Sequence, residues 1–166
     1  MKKLLFTTSI CALFLIINSN AVKAQQVQTS NVAVTIATVT ELTANNTNLA
    51  TFAFTNGSEL ETGITQTNAV TLACKSNKLT KITIKALGSG FFSSSEGSSD
   101  MPVSVIQWKK NGAGSFLPLS TTAADLSTSQ AKGSSSFGVD YKIAPGLQYN
   151  PANDYNITIE YTLTAL

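Results

Sequence analysis

From residue 25 onward, apolar residues recur chiefly at every second position, and no long stretch keeps a helical spacing. That period belongs to half-buried strands, because successive side chains leave a strand on opposite faces. Strands are expected over residues 31–40, 49–55, 68–74, 78–87, 102–109, 136–143 and 154–164, with a brief eighth at 115–119. Seven or eight short strands separated by turn residues predict an all-β fold, an antiparallel sandwich, in one domain over 25–166.

The clearest element is the last. Tyr155, Ile157, Ile159, Tyr161 and Leu163 alternate with Asn156, Thr158, Glu160, Thr162 and Thr164. One face is apolar and aromatic, so this strand is expected to be central to folding, and a slip of one residue would carry all five large side chains into water. Pro145, Gly146, Asn150, Pro151 and Asn153 supply the turn chemistry before it. Asn111-Gly112 is a hairpin signal. In the strand before it, Val103 and Val105 alternate with Ile106 and Trp108, so both faces carry apolar groups. Trp108 either packs at the sandwich edge or is presented to a ligand, and packing is the preferred reading. Residues 88–100 and 121–136 are rich in Ser, Thr, Gly and Ala and read as loops.

The first 24 residues read differently. Lys2 and Lys3 precede an apolar run from residue 4 to 17, and Val22 and Ala24 stand at the small-residue positions of a cleavage site. This is the pattern of a signal peptide, so 1–24 is expected to be removed and the protein secreted to periplasm, cell surface or medium. Cys11 lies inside the apolar run and not after it, against lipidation. No second apolar run reaches the length of a membrane span, so no integral segment is expected after cleavage.

Removing Lys2, Lys3 and Lys23 from eleven lysines leaves eight against nine carboxylates, a net charge near −1. Such a surface has no electrostatic footprint for nucleic acid. Charged residues are only 12% of the chain, and neither His nor Arg occurs. Catalytic triads with His, His-ligated metals and arginine clamps on phosphate are thereby excluded, and no enzyme activity, metal or cofactor is expected. After cleavage Cys74 stands alone, so no internal disulfide can form. It follows Val70 and Leu72 at period two, as a small buried hydrophobe would.

The remaining candidates are weak as chemistry. Glu59 and Glu61 could share a face, but with Asn56, Gly57, Ser58 and Gly63 around them they read as a solvated turn. Glu96 and Asp100 match no calcium-loop spacing. Gly88-Ser89-Gly90 has no following Lys-Ser/Thr and is no phosphate loop. Phe91-Phe92 is either an adhesive tip or a pair folded back to plug the sandwich, the second being preferred. Asn45, Asn56 and Asn156 open glycosylation sequons that matter only in a host that uses them.

The leader, the alternating N-terminal stretch, the Thr-rich β sequence and the terminus Tyr155-Asn-Ile-Thr-Ile-Glu-Tyr161-Thr-Leu-Thr-Ala-Leu166 together resemble bacterial secreted immunoglobulin-like sandwiches. The nearest types are spore coat U and the archaic chaperone-usher pilins; the closing Tyr-Thr-Leu-Thr is also similar to the end of WxL cell-wall domains. The resemblance implies a non-enzymatic surface subunit, structural, fimbrial or adhesive, with identical subunits or a surface protein as partners. It also implies assembly by a donated strand, for which residues 25–36 are the candidate, with Val32, Val34 and Ile36 as anchors. The same stretch could instead complete its own sheet. The chain departs from the pilin pattern in lacking a cysteine pair. The alternative is a carbohydrate-binding module with a glycan as partner, stacked on Trp108, Tyr141, Tyr149 or Tyr155; Trp108, Phe91 and Phe92 are the candidate surface contacts. A hydrolase using isolated carboxylates is the weakest reading.

Overall fold

In chain order the strands are β1 (Thr40–Asn45), β2 (Ile64–Ser76), β3 (Thr80–Ala86), β4 (Ile106–Lys110), β5 (Leu117–Pro118), β6 (Ala124–Gln130), β7 (Gly133–Ile143) and β8 (Ile159–Ala165). Among the described residues, one short helix, α1 (Gly57–Thr62), and one 3-10 turn (Val103–Val105) complete them. The structure, a computed structural model, describes residues 31–45, 51–95 and 100–166. The expected leader 1–24, the polar stretch 25–30, the first residues of the strand expected at 49–55, and Glu96 lie outside the described residues. The chain divides into two units, Met1–Thr35 and Ile36–Leu166, and every strand among the described residues belongs to the second.

The strands form two antiparallel sheets, β1-β2-β7-β4-β5 and β6-β3-β8, as expected of an all-β sandwich. Their inner rows meet as one core: Leu72 and Cys74 from β2, Ile82 and Ile84 from β3, Ile106 and Trp108 from β4, Leu126 from β6, and Val139 and Tyr141 from β7 are all buried. Cys74 sits on the Leu72 face, its Sγ 3.8 Å from Thr80 Oγ1 of the opposite sheet.

Several boundaries differ from the sequence reading. Residues 31–39 are not a strand; pairing starts at Thr40, where β1 meets Ser76. Residues 51–55 also make no strand, and Phe52 and Phe54 rest half-buried against the core. The strand expected from 102 opens as the 3-10 turn Val103–Val105. That turn shifts the alternation by one, so that Val103, Ile106 and Trp108 all reach the interior, which explains apolar residues on both nominal faces. The span 121–136, read as a loop, contains β6 and the start of β7. β8 begins at Ile159, five residues later than expected, and it lies at the edge of its sheet.

The pairing of β2 with β7 breaks between Gln66 and Val70, where three residues of β2 oppose Asp140 alone. Asn68 takes a left-handed φ of 51° there, and its backbone N–H donates to Asp140 Oδ1 at 2.9 Å. Asn111 Nδ2 donates to the same oxygen at 3.0 Å, and Lys109 Nζ lies 3.8 Å from Oδ2. Asp140 is thus buried with its charge answered, as burial of a carboxylate requires. Glycine at 138 leaves room for the Asn68 side chain, because a Cβ there would collide with Asn68 Oδ1.

Candidate functional site

Four strands end the two sheets, and they are not equivalent. β5 is two residues long and includes Pro118, which has no N–H to offer a further strand. β6 pairs with β3 through two register shifts, which twist that edge. By contrast, β1 on β2 and β8 on β3 pair without any shift. Among the described residues no strand lies along the outer edge of β1 or β8. These two edges approach each other on one flank of the sandwich.

The parity of each strand shows what this flank presents. Beyond the two ends of β8, Leu87 N–H donates to Thr158 O at 3.0 Å and Leu166 N–H to Leu79 O at 2.8 Å. The pairing between them is unbroken, so even-numbered residues turn their backbone groups toward β3. The N–H and C=O of Ile159, Tyr161, Leu163 and Ala165 therefore point to the open edge. Ile159, Tyr161 and Leu163 stand opposite Ala86, Ile84 and Ile82, whose side chains are buried, so their own side chains lie on the inner face. They remain only half-buried.

β1 repeats the arrangement. Asn77 N–H donates to Val39 O at 3.2 Å, so odd residues bond β2, and the backbone of Thr40, Leu42 and Ala44 faces outward. Leu42 and Ala44 stand opposite Cys74 and Leu72 on the inner face, yet Leu42 is half-buried and Ala44 exposed. The core is therefore sealed through β2, β3, β4 and β7 and thinly covered along the β1–β8 flank. A half-covered apolar row beneath unused backbone donors and acceptors is the arrangement that an added strand completes.

In the residues that precede β8 the chain is held tightly. Asp154 accepts from Ser93 Oγ at 2.5 Å, from Ser94 N and Oγ both at 2.6 Å, and from Ser95 Oγ at 2.7 Å and N at 3.0 Å. These serine donors, that of Ser93 foremost, hold the Asp154 carboxyl well below the usual carboxylate range. Next to it, Phe92 and Asn156 exchange two backbone hydrogen bonds of 2.9 Å. The Phe91 ring meets Tyr155 edge-on, with centroids 6.3 Å apart. The aromatic pair thus divides: Phe91 packs against the core, while Phe92 is 64% exposed.

The other sequence candidates fall as follows. Val32, Val34 and Ile36 are 83%, 75% and 79% exposed and belong to no strand. Trp108 is 3% exposed, a core residue and not a surface contact; Tyr141 is buried too, which leaves Tyr149 and Tyr155, both half-buried, as stacking candidates. Glu59 and Glu61 lie on α1 and not in a turn. Glu59 serves the helix start: its N–H donates to Asn56 Oδ1 at 3.0 Å, and its Oε2 accepts from Thr55 N at 2.7 Å. That backbone bond, above the other contacts, lowers its pKa. Among the described residues no three His, Cys, Asp or Glu side chains gather in a way that could hold a metal, and no helix is long and apolar enough to cross a membrane.

Sequence reasoning missed the Asp154 clamp, although Ser93-Ser94-Ser95 was visible as a run, because a partner some sixty positions away leaves no local signal. It also read β8 as a strand without its edge status, since alternation reports faces and not neighbours. Compared with known proteins, the chain matches no family model and no curated relative.

Proposed function

We propose that this protein is a secreted, non-enzymatic surface subunit, structural or adhesive, that assembles by strand pairing along the open edge of β8. A segment near residues 32–36 of a second copy is the incoming strand. Val32, Val34 and Ile36 then turn toward the half-covered row of Ile157, Ile159, Tyr161 and Leu163, and the segment's backbone pairs with the outward groups of β8. The single observation that supports this reading is the coincidence, on the same residues of β8, of open backbone groups with half-covered inner side chains. The exposed alternation of Val32, Val34 and Ile36 supplies a chemically matched occupant.

The energetics agree with a ladder plus anchors. Full burial of a Val or Ile is worth roughly 1.5–3 kcal/mol. Three anchors fall within the cost of association, about 4–15 kcal/mol. Main-chain hydrogen bonds at about 0.5–1.5 kcal/mol each must then contribute to stable pairing.

The test is assembly. Purified protein should form higher-order species on gel filtration, and a synthetic peptide of residues 25–40 should bind and cap them. A protein that stays monomeric at high concentration and ignores the peptide would refute strand pairing.

A further inference from the structure

Ile36 is the last of the three anchors and Thr40 the first residue of β1, and Ala37, Thr38 and Val39 stand between them. A hairpin turns in about two to five residues, so these three suffice for the chain to double back. The register of that fold is fixed by arithmetic. A loop of residues 37–39 sets Ile36 opposite Thr40, Val34 opposite Leu42 and Val32 opposite Ala44. Residues directly opposite each other share a face. Leu42 and Ala44 stand opposite Cys74 and Leu72 on the inner face, so the three anchors would lie there too. The outward backbone of Thr40, Leu42 and Ala44 would take up the ladder. Exchange between copies therefore has a competitor within the chain, completion of its own β1 edge.

That fold is blocked at its loop. Past the Thr40–Ser76 pair β2 turns away, and Asn77 extends the pairing alone. Its N–H donates to Val39 O at 3.2 Å, its Oδ1 accepts from Val39 N–H at 2.9 Å, and its Nδ2 donates to Ala37 O at 2.6 Å. Backbone groups of residues 37 and 39 turned to one side follow the period of an extended strand, not of a turn. Composition agrees. Ala37-Thr38-Val39 contains no Gly, Asn, Asp or Pro, and a three-residue hairpin loop calls for a left-handed residue that β-branched Thr and Val resist.

We infer that Asn77 reserves residues 32–36 for a second copy: by holding Ala37–Val39 extended, it denies this segment the turn onto its own β1 edge. Asn77 acts through the chain it holds and is a positioning residue. The inference rests on the strand-pairing reading.

A cysteine pair reads the competition. Ala33→Cys and Thr43→Cys, in a Cys11→Ala/Cys74→Ala background, stand opposite each other in the folded-back register and would link within one chain, giving a faster band on a non-reducing gel. With Asn77 in place such links should be scarce, and gel filtration should show higher-order species. Asn77→Ala/Val39→Gly frees the segment and supplies a turn residue; it should raise the intrachain link several-fold and shift the protein to monomer. Asn77→Ala alone should move both readings the same way by less. If circular dichroism shows the double variant unfolded, Asn77→Asp serves in its place, keeping the acceptor for Val39 N–H and losing the donor to Ala37 O. No gain in the intrachain link on replacing Asn77, whether or not assembly survives, would overturn the role of Asn77 and leave strand pairing standing. Abundant intrachain links with Asn77 in place would overturn it as well. A parent protein that is monomeric and also lacks the intrachain link would overturn both.

Discussion

The hydroxyls of Tyr141 on β7 and Tyr161 on β8 are hydrogen-bonded to each other across the interior, joining the two sheets. Tyr141 is fully buried beside Val139, and Tyr161 lies on the inner face of the open edge. The bond gives two otherwise apolar layers a polar tie, and each partner depends on the other for satisfaction.

Removing one hydroxyl should therefore cost more than removing both. Tyr161→Phe leaves the Tyr141 hydroxyl buried without its partner, an expected loss of about 1–3 kcal/mol. Tyr141→Phe/Tyr161→Phe should recover part of that loss in urea unfolding, and a strictly additive result would contradict the coupling.

The same pair sets an alkaline limit. Burial pushes Tyr161 up to about 12, and burial, reinforced by Tyr161, pushes Tyr141 higher still. An unfolded tyrosine ionises near 10. Above that pH the unfolded chain loses protons that the folded chain keeps. Stability should be level up to about pH 10 and then fall by about 1.4 kcal/mol per pH unit for each tyrosine. Denaturant midpoints between pH 8 and 12 read this directly, and the double Phe variant should lose most of the slope.

Asp154 sets a limit at the other extreme. Its pKa is lowered, so the clamp's contribution is present above the ordinary aspartate value of about 3.9 and disappears as pH falls through the folded value. Hydrogen exchange at Ser94 and Ser95 should stay slow at pH 4 and quicken only well below it. Asp154→Asn should quicken exchange already at neutral pH.

Gly138→Ala should destabilise by about 1–3 kcal/mol, because its Cβ collides with Asn68 Oδ1 at 1.7 Å. Asn68→Gly removes the obstacle, suits the φ of 51° and keeps the backbone bond to Asp140. The double variant should melt close to the parent protein; failure to recover would place the cost elsewhere.

Core and edge should separate cleanly by mutation. Leu72→Ala should cost about 2–5 kcal/mol of folding stability, since Leu72 is wholly buried. Val34→Asp should leave the melting curve of the isolated subunit unchanged, because Val34 is exposed. It should nevertheless abolish higher-order species on gel filtration.

How much of this was legible in the sequence follows from where each residue finds its neighbours. Strands with one fully buried face, such as β2 around Leu72 and β3 around Ile82 and Ile84, announced themselves by alternation. β6 did not, because Leu126 is its one buried apolar residue and its bulged edge needs little more. Val32, Val34 and Ile36 erred the other way: they carry the pattern of a strand without pairing as one. For the candidate site, the anchors were visible as a pattern, whereas the edge that suits them emerged only from which strands lie side by side.

The short, proline-bearing β5 and the bulged β6 have a consequence for any larger architecture. They leave this body one serviceable side, and the piece that would fill it is a different stretch of the chain, so the contact is not self-complementary. Copies joined by that contact have two outcomes: a reciprocal exchange of arms, which closes as a twofold pair, or a directional row with unlike ends, one offering a bare groove and the other a spare arm, in which growth and capping at the two termini would be separate events.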